Sequence, residues 1–575
     1  MRGFTFIGLA ALYSGAVFGQ STETPAKFEI ADVHVSPAST NPFPFVRGPF
    51  LRAGRYEIRM ATMADLVRTA YGVDADKVLG GPTWLEMDRF DIVAKMPPAQ
   101  PKPDELKTML QALLADRFKL VVHNDTKALP AYSLTEGKHQ GLKAASGSGE
   151  TGCKFEIEGA GGRGGPPPPP PPGEGVRFVP TIVYTCRNMT MQAFADGMRG
   201  MIFGQQYLNG RPVVNNTDLK GAWDFTFKYS FRIGPAVAGA ETITMFAAID
   251  KQLGLKLEPS NLKMAVVVVD KVNQKPTENP PNIAESLPSS PIATEFEVAD
   301  IKPADPEFKG MMMQNQPGGR LNMRGVNLRM LMQRAYDFDV FSDEMLVGAP
   351  KWIDTNRFDI VAKAPAATLV STPAMNGQPA RPAAADFDSV ALMLRALLED
   401  RFKLKAHFED QPLTAYTLVA AKPKMKKADP TSRTTWKEGP PADGKDPRET
   451  NPALSRLITC QNMTMAQFAA KLQGMASGYI HSPVLDATGL EGGWDFTLNF
   501  SPVGIGMPGA GRGGEGAFAV GGPAQPGASA TASDPTGGIT LFDAMEKQLG
   551  LKLEKQKRPV KVLVIDHIEE KPTEN

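Results

Sequence analysis

Arg89-Phe-Asp-Ile-Val-Ala-Lys95 occurs twice in this chain, and the second occurrence, at 357–363, is identical. Other segments recur in the same order. They are Leu113-Leu-Ala-Asp-Arg-Phe-Lys-Leu120 and 397–404, Gly221-Ala-Trp-Asp-Phe-Thr226 and 492–497, Gln252-Leu-Gly-Leu-Lys-Leu-Glu258 and 548–554, and Lys-Pro-Thr-Glu-Asn at 275–279 and 571–575. Chance similarity does not preserve order, so the pattern predicts a tandem duplication.

The repeats predict the domain boundaries of the 575-residue chain. The first module is expected at 20–279 and the second at 292–575, joined by a proline-containing linker at 280–291. A positive residue, an uncharged apolar stretch and small residues at a cleavage site predict a signal peptide at 1–19. The chain is therefore expected to be secreted or periplasmic, with no membrane span after signal cleavage.

Hydrophobic spacing within each module alternates between helical and strand-like periods. Thr62 and Asn327 are candidate N-caps of short helices, and further helices are predicted near 104–116 and 388–400. Strand-like runs in the first module lie at 90–94, 132–135, 223–229 and 264–270. The pattern predicts an α+β fold in which short helices pack on a mostly antiparallel or mixed sheet.

Glycine- and proline-rich insertions interrupt both modules. The segment 159–175 contains seven consecutive prolines, and similar stretches lie near 365–386, 421–452 and 503–537. Because their sequences differ between the modules, we expect disordered surface loops without shared chemistry.

The chain contains three cysteines. Cys153 and Cys186 flank the first insertion, and a disulfide between them would fit an oxidising compartment. Cys460 has the sequence context of Cys186, but no cysteine in the second module corresponds to Cys153. We therefore expect Cys460 to be a lone buried thiol.

Several chemistries are not supported by the sequence. A net charge of +1 and the lack of a dense basic cluster argue against nucleic acid as a partner. Two G-x-G-x-x-G matches lie inside Gly/Pro tracts without a following helix, so no nucleotide or other cofactor is expected. The six histidines lack metal-ligand spacing, so no metal site is expected.

His123 and His407 occupy the one histidine position that both modules share. As a weak catalytic candidate, His123 would form an acid/base couple with Asp116 or Asp125. The alternative, which we favour, is a strand histidine held by a neighbouring carboxylate.

Arg117 and Arg401 are weak candidates for a ligand site, since arginine grips carboxylates with two N–H groups. A helix-terminal ion pair explains them equally well. Trp84 and Trp352 are weak candidates for a platform that stacks on a ligand, and core packing is the favoured alternative.

The repeated motifs resemble a family of soil-associated proteins of unknown function that is expanded in acidobacteria. The segments that carry this resemblance are Phe296-Glu-Val-Ala-Asp-Ile-Lys-Pro303, 348–363, 397–404 and 548–567. The first module departs from the pattern at His34, which lies where the second module has Lys302, and at Lys271, which lies where the second has His567. The resemblance implies an exported protein and brings no established activity. Some relatives are attached to membrane metallopeptidases, which would fit a sensing role.

Three functions remain open. The favoured hypothesis is a non-catalytic binding or interaction module for an unknown protein or extracellular ligand, because the modules share hydrophobic and turn positions more than reactive ones. The first alternative is a hydrolase-like secreted enzyme with a site between the modules around both histidines. The second alternative is a structural surface protein.

Overall fold

The computed structural model describes most of the chain between residues 27 and 574. The described ranges are 27–37, 44–99, 101–137, 141–147, 149–158, 181–230, 243–289, 293–308, 310–338, 343–373, 380–441, 446, 456–501 and 538–574. The predicted signal peptide and the insertions at 159–175 and 503–537 lie outside them. Within these ranges, no helix combines the length and the apolar character needed to cross a membrane.

Each module is built around a long two-stranded ribbon. In the first module, Val121–Glu136 pairs antiparallel with Leu255–Lys271 along nearly its whole length. In the second module, Lys405–Ala420 pairs in the same way with Leu551–His567. In each module, the chain before the first ribbon strand folds as the first lobe, at one end of the ribbon. The chain between the two ribbon strands folds as the second lobe, at the other end.

Each first lobe contains an antiparallel sheet and two main helices. The first module has strands Ala31–Val35, Arg89–Lys95, Arg55–Thr62 and Arg47–Arg52, in that spatial order, with helices Met63–Tyr71 and Pro103–Phe118. The second module has strands Val298–Pro303, Phe358–Lys363, Arg320–Val326 and Met312–Asn315, with helices Leu328–Tyr336 and Phe387–Arg401. Short parallel strands, Val78–Gly80 and Leu346–Val347, extend the ribbons here.

Each second lobe repeats a four-stranded antiparallel sheet. The strands are Lys143–Ala144, Trp223–Ser230, Thr181–Met189 and Gly152–Glu158 in the first module, and Lys426–Lys427, Trp494–Phe500, Arg456–Met463 and Thr435–Glu438 in the second. The helices are Met191–Gly197, Gly204–Tyr207 and Met245–Ala248, then Met465–Met475 and Leu541–Ala544. The parallel strands Val213–Asn215 and Leu485–Asp486 join the ribbons at this end.

Short elements complete the described fold. The π-helical turns Ile249–Leu253 and Met545–Leu549 continue the last helices, and Ile283–Ser286 and Trp352–Thr355 are single helical turns. Turns of 3-10 type lie at Ala75–Lys77, Thr83–Glu86, Met198–Gly200, Pro317–Gly319 and Ala366–Thr368.

Helix boundaries follow the local sequence. The Thr62 and Asn327 side chains accept hydrogen bonds from the backbone N–H groups of Asp65 and Met330, so both cap their helices as predicted. Gly254 and Gly550 end the last helical segments at φ values of 69° and 68°. This left-handed conformation favours glycine because a Cβ atom would be strained there.

Four hydrophobic cores, one per lobe, repeat in pairs. Phe90 packs edge-on against Phe118 at 4.9 Å, and Phe358 and Phe402 repeat this contact at 5.1 Å. In the second lobes, Phe194–Phe225 and Phe468–Phe496 form the same contact, both at 4.9 Å. The predicted α+β class and the tandem duplication are thus confirmed.

Three features differ from expectation. The insertion near 421–452, expected to be a disordered loop, contains the strands Lys426–Lys427 and Thr435–Glu438, because these pair with the second-lobe sheet. The ribbon strands are much longer than the predicted strands at 132–135 and 264–270. The prediction was too short because the central residues of both strands are largely solvent-exposed and show no hydrophobic periodicity. The insertion near 365–386 contains a hairpin of strands Leu369–Thr372 and Arg381–Ala385 instead of a structureless loop. This hairpin adds to the first module's sheet, where Ser371 pairs with Leu51, and makes that sheet six-stranded.

Candidate functional site

The shared histidines each bind an aspartate across the ribbon. His123 Nδ1 lies 2.9 Å from both carboxylate oxygens of Asp270, and His407 Nδ1 lies 2.8 Å from Asp566. The strand that carries each aspartate has a β-bulge, at 269–271 in the first module and at 565–567, opposite 405–406, in the second. The bulge places each aspartate beside its histidine. The partner is therefore neither Asp116 nor Asp125. The missed signal was the aspartate that ends the apolar run of both modules, Val-Val-Asp270 and Val-Ile-Asp566.

These pairs lack the surroundings of a catalytic site. The side chains of His123 and Asp270 are 52% and 41% exposed, and the second pair is equally open. In the described part of the chain, the hydrogen bonds and ion pairs of both histidines involve only carboxylates, and none involves a serine, threonine or cysteine that could act as a nucleophile. In the described ranges, the hydrogen-bond and ion-pair partners of each histidine lie in its own module. Nor do the described residues contain a His, Cys, Asp and Glu cluster that could hold a metal ion.

Arg117 and Arg401 bind the repeated Lys-Pro-Thr-Glu-Asn tails. Arg117 is buried and donates to the carbonyls of Ala31 and Thr277 at 2.8 and 2.6 Å, and to Asn279 Oδ1 at 2.5 Å. Arg401 repeats the arrangement on the carbonyls of Ala299 and Glu574. Both arginines therefore fasten the end of a module to its first strand and second helix, which explains why the tail motif recurs.

The two candidate tryptophans line first-lobe cores. Trp84 packs at 6.2 Å against the buried Phe90, and Trp352 lies against the corresponding core of the second module. In the second lobes, the indole N–H groups of Trp223 and Trp494 are buried, and no acceptor contacts them in the described part of the chain. None of these residues forms a stacking platform with the histidines.

The cysteines occupy matching positions in the two second-lobe sheets. Cys153 lies directly opposite Cys186, and the two are joined in a disulfide. Cys460 is buried, and burial raises the pKa of its thiol to about 12. The residue opposite Cys460, in the place of Cys153, is Trp436.

A buried charge network surrounds the hairpin where the modules meet. Arg52 donates to Asp386 at 2.9 Å and to Glu57 at 3.4 Å, and all three side chains are buried. Arg47 forms ion pairs with Asp388 and with Asp337, and its Nη2 atom lies 2.8 Å from Asp337 Oδ2. Because bonds to charged groups are stronger than neutral ones, these contacts hold the hairpin and the following helix against the first module.

Burial shifts the titration of two groups in this network. Burial raises the pKa of the Asp388 carboxyl despite the nearby Arg47 and Arg59. Burial also lowers the pKa of Arg334 to about 10, and its guanidinium lies over the Phe387 ring. The interface is therefore charged, with Arg52, Glu57 and Asp386 buried and Asp388 partly exposed.

A second contact joins the first module's first lobe to the second module's second lobe. Arg433 donates to Glu86 and to the carbonyl of Val78, and an open cavity of about 280 Å³ lies beside these residues. Asp76 and Thr435 also line it. No histidine or candidate tryptophan lines this cavity, so it does not supply the enzyme site considered above.

Comparisons with known proteins give a family and no function. No curated protein and no solved structure matches the chain. The model of the family described as protein of unknown function (DUF3738) matches twice, at residues 64–272 and 329–568. Each match runs from the first helix to the end of a ribbon, and together they cover well over half of the chain. This chain therefore belongs to the DUF3738 family and carries two tandem copies of its domain.

Proposed function

We propose that this chain is an exported, non-catalytic binding module that captures an extended segment of another polypeptide by adding it as a strand to a sheet edge. The observation that carries the proposal is the docked hairpin. Leu369–Thr372 of the second module pairs with Arg47–Arg52 of the first, so this fold already accepts a strand from outside its own lobe. Strand addition is a common mode of peptide recognition because main-chain hydrogen bonds supply affinity for many sequences.

The shared polar residues support a binding role over an enzymatic one. Each candidate arginine is bound to backbone carbonyls of its own module, and each candidate histidine is bound to an exposed aspartate. A hydrolase would need a nucleophile or an activated water held beside the imidazole in a pocket that limits solvent. Both modules contain the arginine because it fastens the tail of its module to the first strand.

Side-chain contacts around the docked hairpin also support this mode of binding. Ser371 Oγ donates to the carbonyl of Leu51, and the ion pairs Arg47–Asp388 and Arg52–Asp386 join the edge strand to the residues that follow the hairpin. Backbone pairing is therefore combined with side-chain contacts that select the segment, as recognition by strand addition demands.

Selection of short random peptides on the immobilised, intact mature chain tests the proposal. We expect enrichment of peptides with alternating apolar residues, because a strand added to a sheet edge presents every second side chain to the core. A panel of ester, peptide and glycoside substrates provides the opposing test. Turnover that disappears in a His123→Ala/His407→Ala variant of unchanged melting temperature would make the chain an enzyme and contradict the proposal.

A further inference from the structure

We infer that the partner segment docks on the open edge of Met312–Asn315 in the second module, an inference that rests on the proposed function. This strand is the outermost strand of its sheet, and no strand pairs with its outer side in the described part of the chain. Met313 is 42% exposed although it faces Met323, which is buried in the core. The apolar face of the sheet thus continues to its edge without a cover.

The same edge is occupied in the first module. Tyr56 and Leu321 take equivalent places, because they pair with Ala94 and Ala362 of the identical heptapeptide. Leu51 lies opposite Tyr56, and Asn315 lies opposite Leu321. Leu51 is the residue that pairs with Ser371 of the hairpin. The strand that carries Asn315 is therefore the counterpart of an edge that is known to accept a strand.

Within the described ranges, no second hairpin fills the open edge. In the first module, only the short segment 96–102 connects Arg89–Lys95 to helix Pro103–Phe118, whereas the second module has the hairpin at this point. The hairpin itself touches the end of the open edge, where Asn315 Nδ2 donates to the carbonyl of Ala385 at 2.6 Å. Among the described residues, the free part of the edge is therefore centred on Met313. The inferred partner segment belongs to another polypeptide.

The composition of this edge also sets it apart. Sheet proteins protect exposed edges with charged residues or proline, which oppose pairing with another strand. The described outer strands of four or more residues all follow this rule except Met312–Asn315, whose sequence is Met-Met-Gln-Asn. Those that follow it are Ala31–Val35, Gly152–Glu158, Val298–Pro303, Arg381–Ala385 and Thr435–Glu438.

The register indicates what the partner offers. Met312 pairs with Arg324, as Arg47 pairs with Arg59 in the first module, so a methionine replaces the arginine that binds Asp388 there. Asn322 similarly replaces the buried Glu57. The partner segment is therefore extended and apolar, without the acidic residues that flank the hairpin. Methionine suits such a site because its flexible, polarizable side chain adapts to different apolar groups.

The backbone hydrogen-bond pattern of Met312–Asn315 identifies a variant that removes only an outward-pointing donor. Gln316 N–H donates to the carbonyl of Arg320, and bonding alternates along an antiparallel pair, so the Met313 N–H points outward. Met313→Pro therefore removes an outward donor without breaking the bonds to Arg320–Val326, and proline is tolerated at such edge positions. Met313→Lys introduces a charge at the same place. Val298→Lys is the matched control, because Val298 is 66% exposed on the opposite outer strand of the same sheet.

The test measures the affinity of the peptides selected on the intact chain for these variants. We expect Met313→Pro and Met313→Lys to weaken binding by about tenfold or more, and Val298→Lys to leave it unchanged. Equal binding to all variants would overturn the site and leave the proposed function standing, whereas failure to enrich any peptide would overturn both. Self-association that is lost in Met313→Pro would identify the occupant as a second copy of this chain and overturn the assignment to another polypeptide.

Discussion

Trp436→Cys is expected to create a second disulfide, with Cys460. Trp436 lies opposite Cys460 in the register that places Cys153 opposite Cys186. Gly439 N–H donates to the carbonyl of Leu457, so the pair 436/460 is a position without cross-strand hydrogen bonds. At such positions of an antiparallel pair the Cβ atoms lie closest, which suits a disulfide.

The size of the effect follows from the loop that the bond would close. For about 25 residues, the chain-entropy model gives a stabilisation of about 3.5 kcal/mol. Trp436 is 39% exposed, so its removal forfeits part of an indole's buried area, on the order of 1–2 kcal/mol. We therefore expect a net increase of about 2 kcal/mol in the free energy of unfolding under oxidising conditions.

Thiol titration in denaturant and urea unfolding with and without reductant are the assays. The wild-type chain should show one free thiol and the Trp436→Cys variant none. Lys437→Cys is the control, because Lys437 lies opposite Thr459 and points to the other face of the sheet. Two free thiols in Trp436→Cys after oxidative refolding, or a disulfide in Lys437→Cys, would refute the register on which the reasoning depends.

Four further predictions concern the shared residues and the interface. Arg117→Ala should lower the free energy of unfolding by about 2–4 kcal/mol, because it leaves buried carbonyls without a donor, and urea unfolding would show no change if the tail were not held. Asp386→Ala should cost about 3–5 kcal/mol, since it leaves the buried Arg52 with only the longer contact to Glu57 and removes a helix cap. Asp386→Asn can retain the cap and should cost less, so equal losses in urea unfolding would contradict this explanation. The raised pKa of Asp388 means that the folded state binds a proton at this carboxyl more tightly than the unfolded state does, so the contribution of Asp388 to stability falls as the pH rises above the ordinary carboxyl pKa. Asp388→Asn should therefore flatten the pH dependence of the melting temperature between acidic and neutral pH, and an unchanged pH profile would contradict this prediction. His123→Ala and His407→Ala should each cost less than about 1 kcal/mol, because both ion pairs are half-exposed, and a larger loss in urea unfolding would mean that the pairs are structural supports.

Local and repeated signals in the sequence carry much of the fold. The N-caps at Thr62 and Asn327 and the C-terminal glycines at 254 and 550 are set by neighbouring residues, so they are predictable without tertiary information. The duplication is visible because both copies retain the same core residues. These signals fixed the α+β class and the number of modules.

Long-range pairing was not predictable in the same way. Residues 123–127 of the strand Val121–Glu136 are polar and exposed or half-exposed, and only their partner strand shows that they belong to a ribbon. The segment 369–385 has a proline- and alanine-rich sequence typical of a loop, yet Leu369–Thr372 and Arg381–Ala385 are strands held by the first module's edge, and Arg52 binds the next residue, Asp386. Propensity was overridden by tertiary contacts in both places.

The candidate site residues were recognised as shared, but their roles depended on contacts distant in sequence. His123 binds Asp270, and Arg117 binds the tail at Thr277 and Asn279. No sequence motif marks the open edge of Met312–Asn315, because whether a strand edge is unpaired depends on which strands lie beside it in the sheet. Its exposure became visible only with the sheet order.

Amide hydrogen exchange of the intact chain with and without a selected peptide tests the central claim most directly. Strand addition at the open edge predicts new protection of the Met313 N–H, which points outward, with little change at the ribbon centre around Thr126. Protection confined to the ribbon or to the edge strand Gly152–Glu158, with none at Met313, would contradict the account.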